Sequence, residues 1–302
     1  MTLSQLRVLL AVADHGGFTA AAEHVGMSQP AVSRAVGAVE GELGTAMFVR
    51  GKDGVALTEA GRLAVARARE ALRQYDLLHS EVAAVAGQLI GTLRLASLPS
   101  ATGTLIAAQV RAFTKRYPQV HIRLFEGTDQ EVRDWLAQGA AELGVVTLPA
   151  PGFETVVLGT DEMVALLPAD HDLSSREAIT FGALSDQKFI LPTGGCGPLI
   201  MAAAREARAH LHAAFEAREQ AAILAMVAEG LGVSIVPTLG LPPDTGSVVV
   251  RPLEPRTPRT LALGHLPDTS PAARAFLDQV ANSHPPRAGA PSSRVRVPAE
   301  KG

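Results

Sequence analysis

The chain has 302 residues, 47% hydrophobic and 4% aromatic, with 27 Lys and Arg against 30 Asp and Glu for a formal net charge of −3. At roughly 150 residues per domain this length supports two cores, and the near-neutral balance excludes a global basic field, so any binding to nucleic acid or anionic membrane is local. The low aromatic content argues against stacking of single strands on an aromatic sheet, the single cysteine excludes an intrachain disulfide or a multi-cysteine zinc site, and the longest uncharged runs, such as residues 95–110, fall short of a membrane span. The opening residues lack a basic stretch followed by an apolar run, which predicts a chain that stays in the cytoplasm. No cofactor or metal is expected.

Thr2 with Gln5 fits a capping box, and Leu3, Leu6, Leu9, Leu10 and Ala13 then share one helical face until Gly16 and Gly17 end it. Thr19 is expected to cap a second, alanine-rich helix that closes at Gly26. Ser28 is expected to cap a third, with Val32, Val36, Val39 and Leu43 as its buried stripe and Gly44 as its stop. Residues 48–50 and 55–57 read as a two-stranded ribbon around Gly51-Lys52-Asp53-Gly54, a small wing. Thr58 then caps a long helix whose Leu72, Tyr75, Leu78, Val82, Val85 and Leu89 recur at close to 3.5 residues, the period of a self-associating seam.

After Gly91 the pattern changes. Residues 93–96, 121–125, 143–147, 163–167, 189–191, 233–236 and 261–263 are short apolar or β-branched strands, many alternating with helices over 105–116, 131–138, 199–212 and 221–229. This alternation predicts parallel sheet covered by helices, in two lobes. The proline- and arginine-bearing residues 282–302 read as a disordered tail.

The short Gly26-Met27 turn joins the second helix to a third that opens Ser28-Gln29-Pro30, the layout of a helix-turn-helix whose second helix enters the major groove. Opposite the valine stripe, Arg34 is able to fork to guanine or phosphate, Gln29 to pair with adenine, and Pro30 with Ala31 to touch a thymine methyl. Ser28 and Ser33 would position the backbone, with Arg50 and Lys52 on the wing beside phosphate. Residues 1–66 nonetheless hold five cations against six carboxylates, so one copy alone should bind feebly and dimerisation is needed to double the contacts.

The runs Phe18-Thr19-Ala20-Ala21-Ala22-Glu23, Met27-Ser28-Gln29-Pro30-Ala31-Val32-Ser33-Arg34, Phe48-Val49-Arg50 and Leu57-Thr58-Glu59-Ala60-Gly61 closely resemble the N-terminal signature of LysR-type transcriptional regulators. Thr114-Lys115-Arg116-Tyr117-Pro118 and Gly230-Leu231-Gly232-Val233-Ser234-Ile235-Val236-Pro237 resemble the same family's effector domain. The resemblance implies an α/β fold class with an all-helical N-terminal part: a winged helix-turn-helix over 1–58, a linker helix over 59–90, and a two-lobed periplasmic-binding-protein-like domain over 91–281. Lobe I would take about 91–160 and 262–281, and lobe II about 161–261. It further implies a non-enzymatic regulator that binds double-stranded promoter DNA, responds to a small-molecule effector, forms a homodimer or homotetramer and works with RNA polymerase.

The cleft is also legible from strand ends, where open α/β sheets place ligands. Ser97, Pro99, Ser100 and Thr102 follow the first strand, Thr128 the second, Thr147 the third, and Gly195 with Cys196 the strand near Phe189. Hydroxyls and N–H groups at a helix start suit an anion such as a carboxylate. By resemblance Ser100 and Thr128 match frequent effector-binding positions, and Thr147 stands where several relatives carry an arginine, which argues against a dicarboxylate. An alternative is a cytoplasmic solute-binding or redox-sensing protein using Cys196, a thiol with no resolving partner in the same chain. His210 and His212, read as two apart on one helix, would point to different sides and so not share a metal.

Overall fold

The computed structural model describes residues 1–51 and 54–283, so Lys52, Asp53 and all but the first two residues of the predicted tail lie outside the described residues. The N-terminal head consists of α1 (Leu3–Asp14), α2 (Phe18–Val25), α3 (Gln29–Leu43) and the antiparallel ribbon β1 (Phe48–Gly51) and β2 (Gly54–Leu57). Thr2 and Gln5 form the capping box read from the sequence. Thr19 does not cap α2: the helix starts one residue earlier, after an extended Gly17 that has no side chain to offer. Ser28 occupies the N-cap position of α3 in an extended conformation, but its side chain makes no capping bond.

Two apolar clusters hold the head together. Val8, Val12, Ala21, Ala22, Val32 and Val36 join the first three helices, while Leu6, Leu9, Val39 and Met47 pack on Val65, Ala68 and Leu72 of the following α4 (Glu59–Val85). Leu43 stays half-exposed rather than completing the valine stripe. Thr58 caps α4 by accepting from Gly61 N at 2.9 Å and donates to Ala46 O at 2.8 Å. Gly61 is required by contact: a Cβ there would lie 2.0 Å from Met47 O. Gly61→Ala is therefore expected to destabilise the head by at least about 1–3 kcal/mol, the usual cost of overpacking. Thermal unfolding followed by circular dichroism measures it, and an unchanged midpoint would refute the clash.

Along α4 the predicted seam divides. Leu72 turns into the head core and Leu89, beyond the helix end, packs against the lobe I core. Leu78, Val82 and Val85 remain outward at 60%, 64% and 91% exposure, with Tyr75 beside them. The helix also ties head to lobe: Arg69 pairs with Asp14 of α1 and donates to Gln138, and Arg73 bonds Asp268 at 2.7 Å.

Lobe I comprises β3 (Gly91–Ser97), a helical run of α5 (Pro99–Ala101), a π turn (Thr102–Ile106) and α6 (Ala107–Arg116), then β4 (Val120–Glu126), α7 (Asp129–Ala137) and β5 (Leu143–Thr147). The chain then enters β6 (Glu154–Pro168), which carries it into lobe II. There follow β7 (Ile179–Thr180), β8 (Phe189–Pro192), α8 (Gly197–Glu206), β9 (Ala213–Ala217), α9 (Gln220–Ala228) and β10 (Val233–Pro237). It returns on β11 (Val248–His265) and ends in α10 (Pro271–Ser283), whose Ala273, Phe276 and Val280 fill the lobe I core.

Apart from the β1-β2 ribbon, the strands among the described residues form one path, β4-β3-β5-β11-β6-β10-β8-β9, with β7 on β11. The expectation of parallel sheet is corrected in the middle. β6 and β11 pair antiparallel with each other, with β10 and with β5, because both strands shuttle between the lobes in opposite senses. Parallel pairing is confined to β3, β4 and β5 in lobe I and to β8, β9 and β10 in lobe II, with β7 joining β11 in the same sense. The predicted helix over 199–212 stops at Glu206, since Arg208 takes a left-handed φ of 55°. His210 and His212 therefore sit beyond the helix rather than on it.

Candidate DNA-reading helix and effector cleft

The first turns of α3 present Ser28, Gln29, Pro30 and Arg34 as exposed residues, with Ser33 half-buried, while Val32, Val36 and Val39 are turned into the core. One helix thus separates a packing stripe from a polar face, as a groove-entering helix requires. Among the described residues no carboxylate pairs with Arg34. Arg50 lies in β1, but the position of its side chain, like all of Lys52, is outside the described residues.

Between the lobes lies a cavity of about 560 Å³. The sequence-predicted Pro99, Ser100, Thr128, Thr147, Gly195 and Cys196 all line it. Ser97 and Thr102 do not. Ser97 is fully buried behind the wall and its hydroxyl donates to Leu98 O, as does that of Thr102. The walls approach closely at two loops: a Cβ on Gly195, where φ is +124°, would lie 3.2 Å from Thr128 Cα, and one on Gly240 3.4 Å from Ser100 Cα. Only a residue without a side chain allows the first approach.

Thr128 is the N-cap of α7 and forms a reciprocal capping box with Glu131, whose carboxyl is held below the usual carboxylate range by the Thr128 backbone N–H and hydroxyl. Asp129 accepts from Thr147 N at 2.6 Å and from Arg133 Nε at 2.5 Å, and Arg133 also donates to Thr147 O at 2.5 Å. The end of β5 is thereby fixed to the start of α7. Asp129, Arg133, Arg218 and Arg259 line the cavity and were not singled out in the sequence. Asp129 was findable, as it directly follows Thr128. Arg259 was not, because its partner Asp161 stands 98 positions away.

Cys196 is the N-cap of α8, half-buried, and burial pushes its thiol up, with Arg259 opposing. A raised thiol carries less thiolate at neutral pH than a free cysteine. Alkylation by iodoacetamide is accordingly expected to be slower in the folded chain than in the denatured one at pH 7, with its pH midpoint displaced upward. A midpoint at or below that of the denatured chain would contradict this.

A helix-turn-helix head joined by a long helix to a two-lobed domain with an inter-lobe cleft defines the class of a ligand-responsive transcriptional regulator. Residues 3–62 match the bacterial regulatory helix-turn-helix protein, lysR family, and residues 86–284 match the LysR substrate binding domain. The chain is 32% identical over 283 residues to the HTH-type transcriptional regulator YvbU of Bacillus subtilis, covering 92% of this chain and 97% of that protein. It is 33% identical over 290 residues to the probable HTH-type transcriptional regulator LrrA of Synechococcus elongatus, covering 94% and 98%. A full-length OxyR variant from Pseudomonas aeruginosa superposes with a TM-score of 0.69 at 28% identity, covering 93% of this chain and 95% of that one. CbnR in complex with its target DNA shares the fold, at a TM-score of 0.64 and 22% identity over 94% and 100% of the two chains. The chain belongs to the LysR family: it is a DNA-binding transcriptional regulator with an effector-binding domain, not an enzyme. No helix among the described residues is long and apolar enough to cross a membrane.

Proposed function

We propose that this cytoplasmic regulator binds a promoter operator as a dimer, or as a dimer of dimers, and that a small organic anion held between its lobes changes its engagement with DNA and RNA polymerase. The observation that carries the reading is the convergence of Ser100, Thr128 and Gly195, from three separate segments of the chain, on one cavity. In this reading residues 1–58 form the DNA-binding unit and α4 the dimerisation stalk. Residues 91–281 are the sensor, and Ser28, Gln29, Pro30, Ser33, Arg34, Arg50 and Lys52 face the duplex. The effector acts only to the extent that it binds one lobe arrangement better than another.

The redox alternative has less support. The hydrogen peroxide-inducible genes activator of Escherichia coli is 28% identical over 275 residues, but here the single thiol is pushed up rather than down by its surroundings. Ser100→Ala and Thr128→Ala are each expected to suppress the effector response while leaving DNA affinity intact. A screen of small organic carboxylates by thermal shift, followed by gel shift on DNA upstream of the gene, tests this. Equal ligand-induced shifts in wild type and both variants would remove these residues from the effector site.

A further inference from the structure

We infer that the Arg259 and Asp161 pair fixes Ser100 as a hydrogen-bond donor and withholds the Arg259 charge from the cleft, so that the site takes an apolar molecule presenting acceptors and at most one negative charge. This rests on reading the cleft as the effector site.

Arg259 on β11 and Asp161 on β6 are direct cross-strand neighbours where the two strands pass between the lobes. Both side chains are 5% exposed, and the contact is bidentate, at 2.6 Å from Nε to Oδ1 and 3.0 Å from Nη2 to Oδ2. The same Nη2 donates to Ser100 Oγ at 3.0 Å, and Asp161 Oδ2 accepts from Leu239 N at 3.2 Å. The helical run of lobe I and the loop after β10 of lobe II thus meet on one ion pair.

The polarity of the hydroxyls follows. A serine hydroxyl holds one proton, and an oxygen that already accepts from a guanidinium keeps that proton to donate. Among the described residues no protein acceptor takes the Ser100 proton. Thr128 differs: its oxygen accepts from Glu131 N at 3.2 Å and its hydroxyl is turned to the Glu131 carboxylate, so its proton is spent within the capping box. The Ser100 hydroxyl therefore addresses an acceptor on the ligand.

The charges limit that ligand. Arg259 is bonded to Asp161, Arg133 to Asp129, and Arg218 faces Glu131 at 3.7 Å. Glu219 also lines the cavity and has no cation in pairing distance among the described residues. With every cavity arginine paired, one negative charge has only the hydroxyl and N–H donors to rest on, and a second would meet Glu219 with nothing left to compensate its desolvation. Pro149, Pro192, Leu199, Ile223 and Pro237 supply an apolar wall for the body of the molecule.

Cys196, the one thiol in the sequence, lines the same cavity and reports its occupancy through protection from iodoacetamide. Sulfate is titrated against chloride at matched ionic strength, and each variant is compared with itself so that a changed thiol reactivity cancels. The wild type is expected to show no sulfate-specific protection. Asp161→Asn, which frees Arg259, is expected to gain saturable protection, about tenfold at ten times the dissociation constant, and Asp161→Asn/Arg259→Gln to lose it again. Sulfate protection in the wild type that disappears in Arg259→Gln would overturn the proposal, as would a folded Asp161→Asn that remains indifferent. Should Asp161→Asn not fold, the double variant replaces it, and sulfate indifference shared by it and the wild type supports the inference while protection of the wild type alone refutes it. Failure of the effector reading is separate: no organic carboxylate would protect Cys196 in any variant, whatever sulfate does.

Discussion

Arg34→Ala is expected to weaken binding to the DNA upstream of the gene by about 30-fold or more, taking ~1–3 kcal/mol for each bidentate base contact and two heads per dimer. The side chain is exposed on α3 with no carboxylate partner among the described residues, so it is available to the groove at no internal cost. Residues 1–66 hold only five cations, and losing one removes a large share of the attraction. Gel-shift titration at one salt concentration measures the effect, with circular dichroism to show that head and lobes remain folded. Unchanged affinity would take α3 out of the groove. The salt slope separates the two roles of Arg34: a phosphate contact lowers it by about one per head, about two per dimer, and weakens all sequences alike, whereas a base contact relaxes preference at one position of each half-site.

Charging the outward stripe of α4 is expected to abolish self-association. Leu78, Val82 and Val85 are among the most exposed large apolar residues of the chain, and full burial of each such side chain contributes about 1.5–3 kcal/mol. Leu78→Asp with Val82→Asp would forfeit that gain in both copies and bury carboxylates in its place. Sedimentation is expected to show a monomer whose helix content matches the wild type, with operator affinity reduced by orders of magnitude. A double variant that still sediments as a dimer would place the contact elsewhere.

The helices of the head were legible because their glycine stops, the Thr2 and Gln5 capping box and the valine stripe are local features, whereas the capping bonds expected of Thr19 and Ser28 do not form. Gly26 and Gly44 close α2 and α3 in left-handed conformations, and the 4, 3 spacing from Val32 falls on the buried face. The two long strands were legible only in part. In β6, Thr160, Asp161 and Glu162 interrupt the apolar run, and in β11 Pro252, Pro255 and Pro258 argue against strand, so only 163–167 and 261–263 stood out. Hydrogen bonding between the two strands overrides those local signals. β9 was missed because it is a mostly exposed edge in which Phe215 is flanked by alanines and a glutamate. In the cleft, Ser100, Thr128 and Thr147 were readable from their positions after strands, Ser97 and Thr102 were placed there wrongly because position does not say which way a side chain turns, and the Arg259 and Asp161 pair depends on a register that no local pattern encodes.

The passage between the lobes has no slack. Residues 159–162 of β6 are paired one to one with 258–261 of β11, and irregularities in register bracket this stretch at Pro252/Thr257 and Leu261/Ala262. Two hydrogen-bonded strands resist stretching and yield mainly by torsion. Any change in the spacing of the lobes would therefore have to be taken up by twist in this short double-stranded ribbon and not by its lengthening.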